Sequence, residues 1–421
     1  MKGMHVMTPS IKTIPLVGLI LALGLVHAQP APAWGPTLPE NFPNGVRVPT
    51  LDETYPNFVV RDGDTARLER VFEKGLNGEP LTVAVIGGSI TSGAHSGTRE
   101  RQWGYVLTEW FRHVFPKSRV EYVNAGIGAT GSGYGVYRVE RDVCAKGADV
   151  VGVEFAVNDP NIPVSTEYNE GLVRHLLASE KQPFVFQLSM VHKTRDNSQN
   201  RQLEVSTHYD IPHFSFRDAF LPLFESGKLT HRELAKDELH PNEIGHPYMA
   251  ALVCRYLNLK LAAYLAAKRA PRTVPALPEK PLVGHTFDTG RVVALDEAKI
   301  VENRGFELGV NAKARHLGKV LVGTNAGDRV TFEIDAPTCA ILYYKINGPM
   351  GRAKVSIDGE TSTMLDGWFE KTWGGYTQLQ LLWRDRPGRH LVTFEILEET
   401  SDKVAGGHRF EISALLMTEA R

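Results

Sequence analysis

Hydrophobic positions in the first two thirds of the chain alternate between short continuous runs and stripes at helical spacing. The continuous runs are rich in β-branched residues and predict buried parallel strands at 81–86, 120–123, 150–156 and 184–188, with a shorter strand at 213–216. Apolar side chains at helical spacing predict helices at 103–114, 166–180 and 248–267, and the polar segment 193–207 is expected to be a solvated loop. Strands that alternate with helices favour a parallel sheet, whose ligands bind outside the carboxyl ends of the strands.

After a proline-rich stretch, the pattern changes to short strands separated by glycine-containing turns. We expect these strands at 329–334, 340–346, 354–357, 378–383, 391–397 and 410–417. Many short strands with turn signals predict an antiparallel β-sandwich, jelly-roll-like in kind. The predicted organisation is a signal peptide at 1–28, a proline-rich lead at 29–60, an α/β domain at 61–270, a linker at 271–284 and a sandwich domain at 285–421.

The N-terminal residues have the pattern of a secretory signal peptide. Lys2 and Lys12 accompany an apolar run at 14–26, no Asp or Glu occurs there, and Val26 and Ala28 provide small residues at a cleavage site. The run is shorter than the about 20 residues that span a bilayer. We therefore expect cleavage after Ala28 and a secreted or periplasmic protein without membrane insertion. An uncleaved anchor or an N-terminal tail is the alternative.

Composition and charge narrow the class further. The chain has 421 residues, of which 42% are hydrophobic and 23% are charged, as in a globular protein. Lys plus Arg is 47 and Asp plus Glu is 48, so no concentrated basic charge indicates a nucleic-acid partner. The three cysteines are far apart and odd in number, which argues against a disulfide framework. Cys144 and Cys254 are expected to be packed thiols. The oligomeric state stays open.

Small and polar residues follow the first two predicted strands. Residues 87–91, Gly-Gly-Ser-Ile-Thr, place Ser89 on a glycine turn clear of the sheet, although such a turn can also simply end a strand and cap a helix. The second strand leads into 124–131, which contains the G-x-G-x-x-G spacing of a dinucleotide site. Gly133 and Gly135 follow at once and disfavour the helix that such a site needs. A glycine-rich loop also exposes backbone N–H groups, which an oxyanion needs equally.

Two further polar motifs lie at comparable positions. Asn158 follows the third strand, where its amide can donate into a cleft or form an Asx turn. Asp237 precedes His240 by three residues, so the carboxylate can orient the imidazole and leave the other ring nitrogen free to accept a serine proton. A capping aspartate beside a surface histidine has the same spacing. Glu243 and His246 could join His240 as metal ligands, but prolines break the helix that would align them.

The order of these motifs resembles that of the SGNH, or GDSL-type, hydrolases over about half of the chain. Ser89 matches the nucleophile of the first block, Asn158 the asparagine of the third, and Asp237 and His240 the acid and base of the last. The resemblance implies a flavodoxin-like three-layer α/β/α sandwich and acyl transfer through a serine ester. It implies neither a metal nor an organic cofactor.

Two positions depart from the family pattern. Gly88 stands where the first block usually has Asp, so the local hydrogen bonds of that carboxylate are missing. Alignment of the second block places Ala129 where the oxyanion glycine is expected, with Gly128 the alternative if the register slips by one. A backbone N–H donates as well from Ala as from Gly where φ is allowed. The resemblance then implies an oxyanion hole made by the N–H groups of Ser89 and Ala129 and by the Asn158 amide.

The substrate class follows from the domain organisation. An export signal beside a sandwich domain suggests a polymer outside the cytoplasm, and family members with such a domain are often carbohydrate O-acetylesterases. We therefore expect hydrolysis of O-acyl, mainly O-acetyl, esters on a polysaccharide or oligosaccharide. A lipid or thioester hydrolase, a glycan O-acetyltransferase and a non-catalytic glycan-binding protein are the alternatives. Trp368, Trp373 and Tyr376 could stack on sugar rings, although packing in the core or at a domain interface is the more common role.

Overall fold

The computed structural model describes residues 1, 31–194, 196–312, 314–401 and 406–420. The predicted signal peptide, apart from Met1, lies outside the described residues. The residues from Pro32 onward form one compact unit. The three thiols are free, and those of Cys254 and Cys339 are buried while that of Cys144 is half-buried.

A mostly parallel sheet lies at the centre of the α/β part. Its strands are β1 (Val59–Arg61), β2 (Leu81–Gly87), β3 (Val120–Gly126), β4 (Val150–Glu154), β5 (Phe184–Ser189) and β6 (His213–Ser215). The order is β1-β6-β5-β4-β2-β3, in which β1 pairs antiparallel with β6 and the other pairs are parallel. Without β1 this is the flavodoxin-like order, and its strand order reverses beside β2. The predicted α/β fold is confirmed.

Helices cover both faces of this sheet. They are α1 (Leu51–Phe58), α2 (Ala66–Asn77), α3 (Ser89–Ser92), α4 (Trp103–Val114), α5 (Ser132–Asp142), α6 (Pro163–Ala178), α7 (Gln199–His208), α8 (Phe216–Glu225), α9 (His231–Leu234) and α10 (Gly245–Ala266). Successive residues of β2 point to opposite faces. Val85 packs with Trp110 and Leu257 on one face, and Ile86 packs with Leu172 on the other. Helix α10 is long and apolar enough to span a membrane, but it lies in the first of these cores.

The C-terminal part consists of two antiparallel sheets. Their strands are β7 (Gly290–Val293), β8 (Ile300–Arg304), β9 (Glu307–Gly309), β10 (Val320–Gly323), β11 (Arg329–Asp335), β12 (Cys339–Lys345), β13 (Arg352–Ile357), β14 (Glu360–Asp366), β15 (Tyr376–Trp383), β16 (Arg389–Ile396) and β17 (Phe410–Thr418). One sheet has the order β15-β12-β17-β10-β9, with β7 also paired to β17, and the other has the order β14-β13-β16-β11-β8. Apolar side chains of both sheets enclose one core. The predicted β-sandwich is confirmed.

The sandwich packs directly on the α/β part because β12 and β17 are buried on both faces. Within β12, Ile341 points into the sandwich core, whereas the next residue, Leu342, belongs to the core that contains α5 and α6. Arg384, after β15, forms a bidentate ion pair with Glu167 of α6 at 2.9 and 2.6 Å. This packing brings the turns of the sandwich close to the carboxyl ends of the parallel strands.

Helix α5 contradicts the expectation that glycines would prevent a helix after the glycine-rich loop. The helix begins at Ser132 and includes Gly133 and Gly135. A Cβ at Gly133 would lie 3.2 Å from the ring of Tyr168, and one at Gly135 would lie 2.9 Å from a methyl group of Leu172. The glycines therefore allow α5 to approach α6 closely, and this packing outweighs their low helix propensity.

The polar segment 193–207 is also partly helical, so its prediction as a solvated loop was wrong. Helix α7 buries Gln199 and Gln202, which hydropathy does not mark as core residues. The Gln202 amide donates to the Asp159 carboxylate at 3.1 Å, and its backbone carbonyl accepts from Gln187 at 3.2 Å. Hydrogen bonds therefore hold this face of the helix together with the buried side chain of Val205.

Candidate active site

Ser89 is the first residue of α3 and follows β2 through a Gly87-Gly88 turn. Glycine is needed at position 87, because a Cβ there would lie 2.1 Å from Thr91 Oγ1 and 2.4 Å from the carbonyl oxygen of Glu154. The tight turn presents Ser89 at the carboxyl edge of the sheet, where it lines a cavity of about 830 Å³. The position is the one expected for a ligand-binding residue in this class of sheet.

Ser89, His240 and Asp237 form a continuous chain of hydrogen bonds, called here the Ser–His–Asp array. Ser89 Oγ lies 2.8 Å from His240 Nε2, and His240 Nδ1 lies 2.7 Å from Asp237 Oδ2. Asp237 Oδ1 accepts the backbone N–H groups of Leu239 and His240, each at 2.8 Å. Partial burial acts to raise the pKa of Asp237, but these hydrogen bonds outweigh it and lower the pKa to about 2. The carboxylate is therefore ionised at neutral pH and orients the imidazole.

The loop between α9 and α10 holds His240 in this position. The Lys236 N–H donates to the His240 carbonyl at 2.9 Å, and the Asn242 N–H donates to the Leu234 carbonyl at 2.9 Å. The Asn242 side-chain oxygen accepts the N–H of Gly245 at the start of α10, also at 2.9 Å. Both ends of the loop are thus fixed to the adjacent helices, which restricts the movement of the imidazole.

The glycine-rich loop after β3 lies beside Ser89. A Cβ at Gly128 would be 3.9 Å from Ser89 Cβ, and Gly128 and Ala129 both line the cavity. Ala129 has a φ of +56°, a left-handed conformation that L-residues other than glycine rarely adopt. The residue aligned with the oxyanion glycine of the family thus has the backbone conformation of a glycine. Local strain of this kind is typical of functional sites.

Asn158 also lines the cavity and fits closely against Gly88. A Cβ at Gly88 would lie 2.2 Å from Asn158 Oδ1, so the amide oxygen occupies space that any side chain at position 88 would need. Asn158 Oδ1 is buried without a hydrogen-bond partner. Because Oδ1 faces the nucleophile turn, the amide nitrogen is the end of the side chain that can donate into the cavity. Gly88, which stands where the family usually has Asp, therefore leaves free the space that the Asn158 side chain occupies.

The β-sandwich forms the opposite wall of the same cavity. Tyr344, Trp373 and Tyr376 line it together with Ser89 and His240. Trp373 and Tyr376 have ring centroids 5.8 Å apart, and the Trp373 side chain is exposed. The packing role expected for these aromatics is therefore wrong for Trp373, which is 59% exposed.

Trp368 differs in its position from Trp373 and Tyr376, the two aromatic residues that follow it in the chain. It is half-buried, it pairs with Ile346 in an isolated β-bridge, and it does not line the cavity. Gly375 explains how Tyr344 reaches the cleft, since a Cβ at that position would lie 1.9 Å from the Tyr344 hydroxyl. The aromatic wall thus comes from strand β12, the first residue of β15 and the turn before it. Sequence spacing alone does not separate its members from Trp368.

His95 is a site residue that the sequence did not reveal. It lies in the loop after α3, and its Nε2 is 3.4 Å from Asp237 Oδ2, the oxygen that also accepts from His240. Its ring contacts that of His240 edge-on, with centroids 5.3 Å apart. The only sequence signal is its position six residues after Ser89, which is not a recognised motif.

Potential metal ligands occur at two places in the described part of the chain, with ligand atoms within 4.8 Å of one another. The groups are His95 with Asp237 and His240, and Glu140 with Cys144 and His175. A metal ion in the first group would compete with the Asp237–His240 hydrogen bond. The set of His240, Glu243 and His246 considered from the sequence is not assembled, since Glu243 bonds to Arg101 and His246 Nε2 donates to the Ala94 carbonyl.

Two buried acids lie beneath the site. Burial raises the pKa of Glu154 to about 8 despite a hydrogen bond of 3.0 Å from Thr91 Oγ1. Burial also raises the pKa of Asp159 to about 6, although its carboxylate accepts the Ser132 N–H at the start of α5 at 2.7 Å. Asp159 thereby ties the strand end that carries Asn158 to the end of the glycine-rich loop.

Comparison with solved structures finds the same architecture in a known enzyme. A crystal structure of a two-domain esterase (CEX) active on acetylated mannans has a TM-score of 0.79 and 28% identity, and the match covers 87% of this chain and 99% of that one. A second structure of that esterase, co-crystallised with mannopentaose, has a TM-score of 0.78 and 28% identity, with 87% and 98% covered. No protein-family model and no curated protein matches the chain.

The flavodoxin-like sheet, the serine at its carboxyl edge and the similarity to a two-domain esterase define a hydrolase that acts on ester bonds. The order of its sequence motifs and their placement in the fold are those of the SGNH family. The chain therefore resembles the SGNH, or GDSL-type, hydrolases in its fold and in the order of its site residues, and it carries a C-terminal β-sandwich.

Proposed function

We propose that this protein is a secreted carbohydrate esterase that removes O-acetyl groups from a polysaccharide or its oligosaccharides. The observation that carries the proposal is the hydrogen-bonded Ser–His–Asp array inside a cavity whose other wall is aromatic. Export rests on the N-terminal sequence pattern. Export and ester hydrolysis are independent properties, so each can be tested separately.

In the proposed mechanism, Ser89 is the nucleophile and His240 the general base. His240 Nε2 accepts the Ser89 proton as Oγ attacks the ester carbonyl, and Asp237 stabilises the resulting imidazolium. The backbone N–H groups of Ser89 and Ala129 and the Asn158 amide stabilise the oxyanion. His240 then gives this proton to the oxygen of the leaving sugar. In the second half of the reaction, His240 accepts a proton from water as the water attacks the acyl-serine, and it returns that proton to Ser89 Oγ as acetate is released.

The carbohydrate part of the proposal is supported by the shape and chemistry of the cleft. Aromatic side chains of Tyr344, Trp373 and Tyr376 face the array, and aromatic faces can stack on sugar rings. The similar two-domain esterase acts on acetylated mannans and has been crystallised with mannopentaose. We therefore propose an acetylated glycan chain as the substrate, with the acetyl group at Ser89 and the sugar against the aromatic wall.

Acetate release from acetylated mannan and acetylated xylan oligosaccharides tests the proposal. Wild-type protein should release acetate, and Ser89→Ala should lose at least about 10³-fold in kcat because no nucleophile remains. Ser226→Ala is a matched control, since Ser226 is an exposed serine at the end of α8 outside the cleft. Wild-type turnover by Ser89→Ala would refute the mechanism. Preference for long-chain aryl esters over acetylated glycans would refute the substrate class.

A further inference from the structure

We infer that His95 is a positioning residue that holds the carboxylate of Asp237 from a position beside His240. The inference rests on the proposed role of the Ser–His–Asp array in ester hydrolysis. His95 lines the active-site cavity and also a neighbouring cavity of about 1150 Å³, and Asp237 lines both as well. The two side chains together therefore form the boundary between these spaces.

The hydrogen bonding of Asp237 shows where a further partner is needed. Its Oδ1 is fixed by two backbone N–H groups of its own turn. Its Oδ2 accepts His240 Nδ1 at 2.7 Å and has His95 Nε2 as a second neighbour at 3.4 Å. The Asp237 side chain is 43% exposed, so without His95 this oxygen would face water on that side. Water there would compete with His240 for the carboxylate lone pairs.

The loop that carries His95 is built to hold it in place. His95 has a φ of +63°, which is uncommon for a residue other than glycine, and Gly93 and Gly97 on either side also have positive φ. The imidazole of His246 is buried, which lowers its pKa to about 4, and as a neutral ring it donates to the Ala94 carbonyl at 2.9 Å. Ser96 Oγ lies within 2.9 Å of the Gly93 carbonyl, to which it donates. A strained residue held from both sides is typical of a functional position.

This arrangement assigns His95 an effect on turnover rather than on substrate binding. It fixes the carboxylate that orients His240, so its loss leaves the nucleophile and the oxyanion donors in place. A contact of 3.4 Å between two largely exposed side chains corresponds to about a 1.5- to fivefold change in rate. We therefore expect His95→Ala to lower kcat for p-nitrophenyl acetate about two- to fivefold while KM stays within about twofold. His95→Gln, whose amide reaches the same distance, should restore most of the loss.

A double-mutant cycle with Asp237 tests this directly. If His95 acts through Asp237, His95→Ala should have almost no further effect on kcat in an Asp237→Ala background. An equal fractional loss in both backgrounds would show that His95 acts elsewhere and would overturn the inference. So would an unchanged kcat of the single variant. The proposed function is refuted by a different result, either wild-type turnover by Ser89→Ala or a preference for long-chain aryl esters, so the two failures are distinguishable.

A second pair of variants separates the effect of the His95 side chain on kcat from the effect of backbone strain. His95→Gly removes the imidazole and accepts the positive φ, whereas His95→Ala removes the imidazole and keeps the strain. Equal kcat values for the two variants would support the role of the side chain. Recovery of kcat in His95→Gly alone would overturn it, because relief of strain would then account for the change.

Discussion

Substitution of Gly88 by alanine tests how closely the turn before Ser89 must fit against the side-chain amide of Asn158. Gly88 has a φ of −87°, which lies outside the left-handed region that favours glycine. An added methyl group conflicts with Asn158, whose Oδ1 would lie 2.2 Å from the new Cβ. The SGNH family usually has Asp at this position, and an Asp here carries the same Cβ. Restoring the family residue should therefore impair this enzyme.

The size of the effect follows from the distance. Ordinary contact with a Cβ begins at 3.4 Å, so Asn158 Oδ1 must move by 3.4 − 2.2 = 1.2 Å. The amide is the end of a rotatable side chain, so the move should cost less than about 1 kcal/mol of folding stability. Catalysis is far more sensitive, because misplacement by about 1 Å can cost about 10²-fold and loss of one oxyanion donor costs about 10²–10³-fold. We expect kcat to fall by that factor.

Steady-state kinetics with p-nitrophenyl acetate and urea unfolding measure the two quantities on the same preparations. Gly348→Ala is a matched control, because a Cβ there meets only a methyl group of Ile346, at 3.8 Å, and Gly348 does not line the cleft. Gly88→Ala combined with Asn158→Ala should be no slower than Asn158→Ala alone, since both act on one amide. A kcat of Gly88→Ala within threefold of wild type would show that Asn158 does not hold the oxyanion from this position.

Three further predictions concern other parts of the site. Ala129→Gly should raise the free energy of unfolding by about 0.5–1 kcal/mol, because it relieves a left-handed alanine, and a lower urea midpoint would contradict this. Trp373→Ala should raise KM for acetylated oligosaccharides about five- to tenfold because stacking on the sugar is lost. Its melting temperature should change little, since the ring is 59% exposed. An unchanged KM would exclude the aromatic wall as a sugar-binding surface. Burial raises the pKa of Glu154 to about 8, so the folded protein binds a proton that the unfolded chain releases near 4.5. The free energy of unfolding should fall as pH rises between these two values. The urea midpoint of Glu154→Gln should therefore increase relative to that of the wild type between pH 5 and pH 9. A difference between the two midpoints that stays constant over this range would show that Glu154 is ionised in the folded state.

The five parallel strands of the central sheet were predictable from runs of apolar residues, whereas the short antiparallel strand β1 was not predicted. Strands such as β4 are buried along their whole length and read as continuous apolar runs. In the sandwich, the strands that the sequence missed include β8 and β14, whose residues are mostly exposed. Edge strands of this kind lack the alternation of apolar and polar side chains that marks a half-buried strand. A strand can therefore be predicted from the sequence when at least one of its faces is buried.

Site residues were predictable to the extent that they belong to motifs with fixed local spacing. Ser89 on its glycine turn and the pair of Asp237 and His240 each occupy one turn of chain, so their geometry is largely local. His95 meets Asp237 across 142 positions and has no motif of its own. Its place depends on loop closure by His246, which is a tertiary contact that no local spacing encodes.

The cleft itself depends on both parts of the chain, and this limits how far the α/β part can be considered alone. Leu342 and Leu416 on the outer face of the sandwich sheet complete the core beneath α5 and α6, so the packing that stabilises α5 also fixes the aromatic wall. Helix α5 in turn follows the loop that carries Ala129. A substitution that loosens this apolar contact is therefore expected to disturb both the loop that carries Ala129 and the aromatic wall. The sandwich thus contributes to the shape of the cleft and is not only an accessory to it.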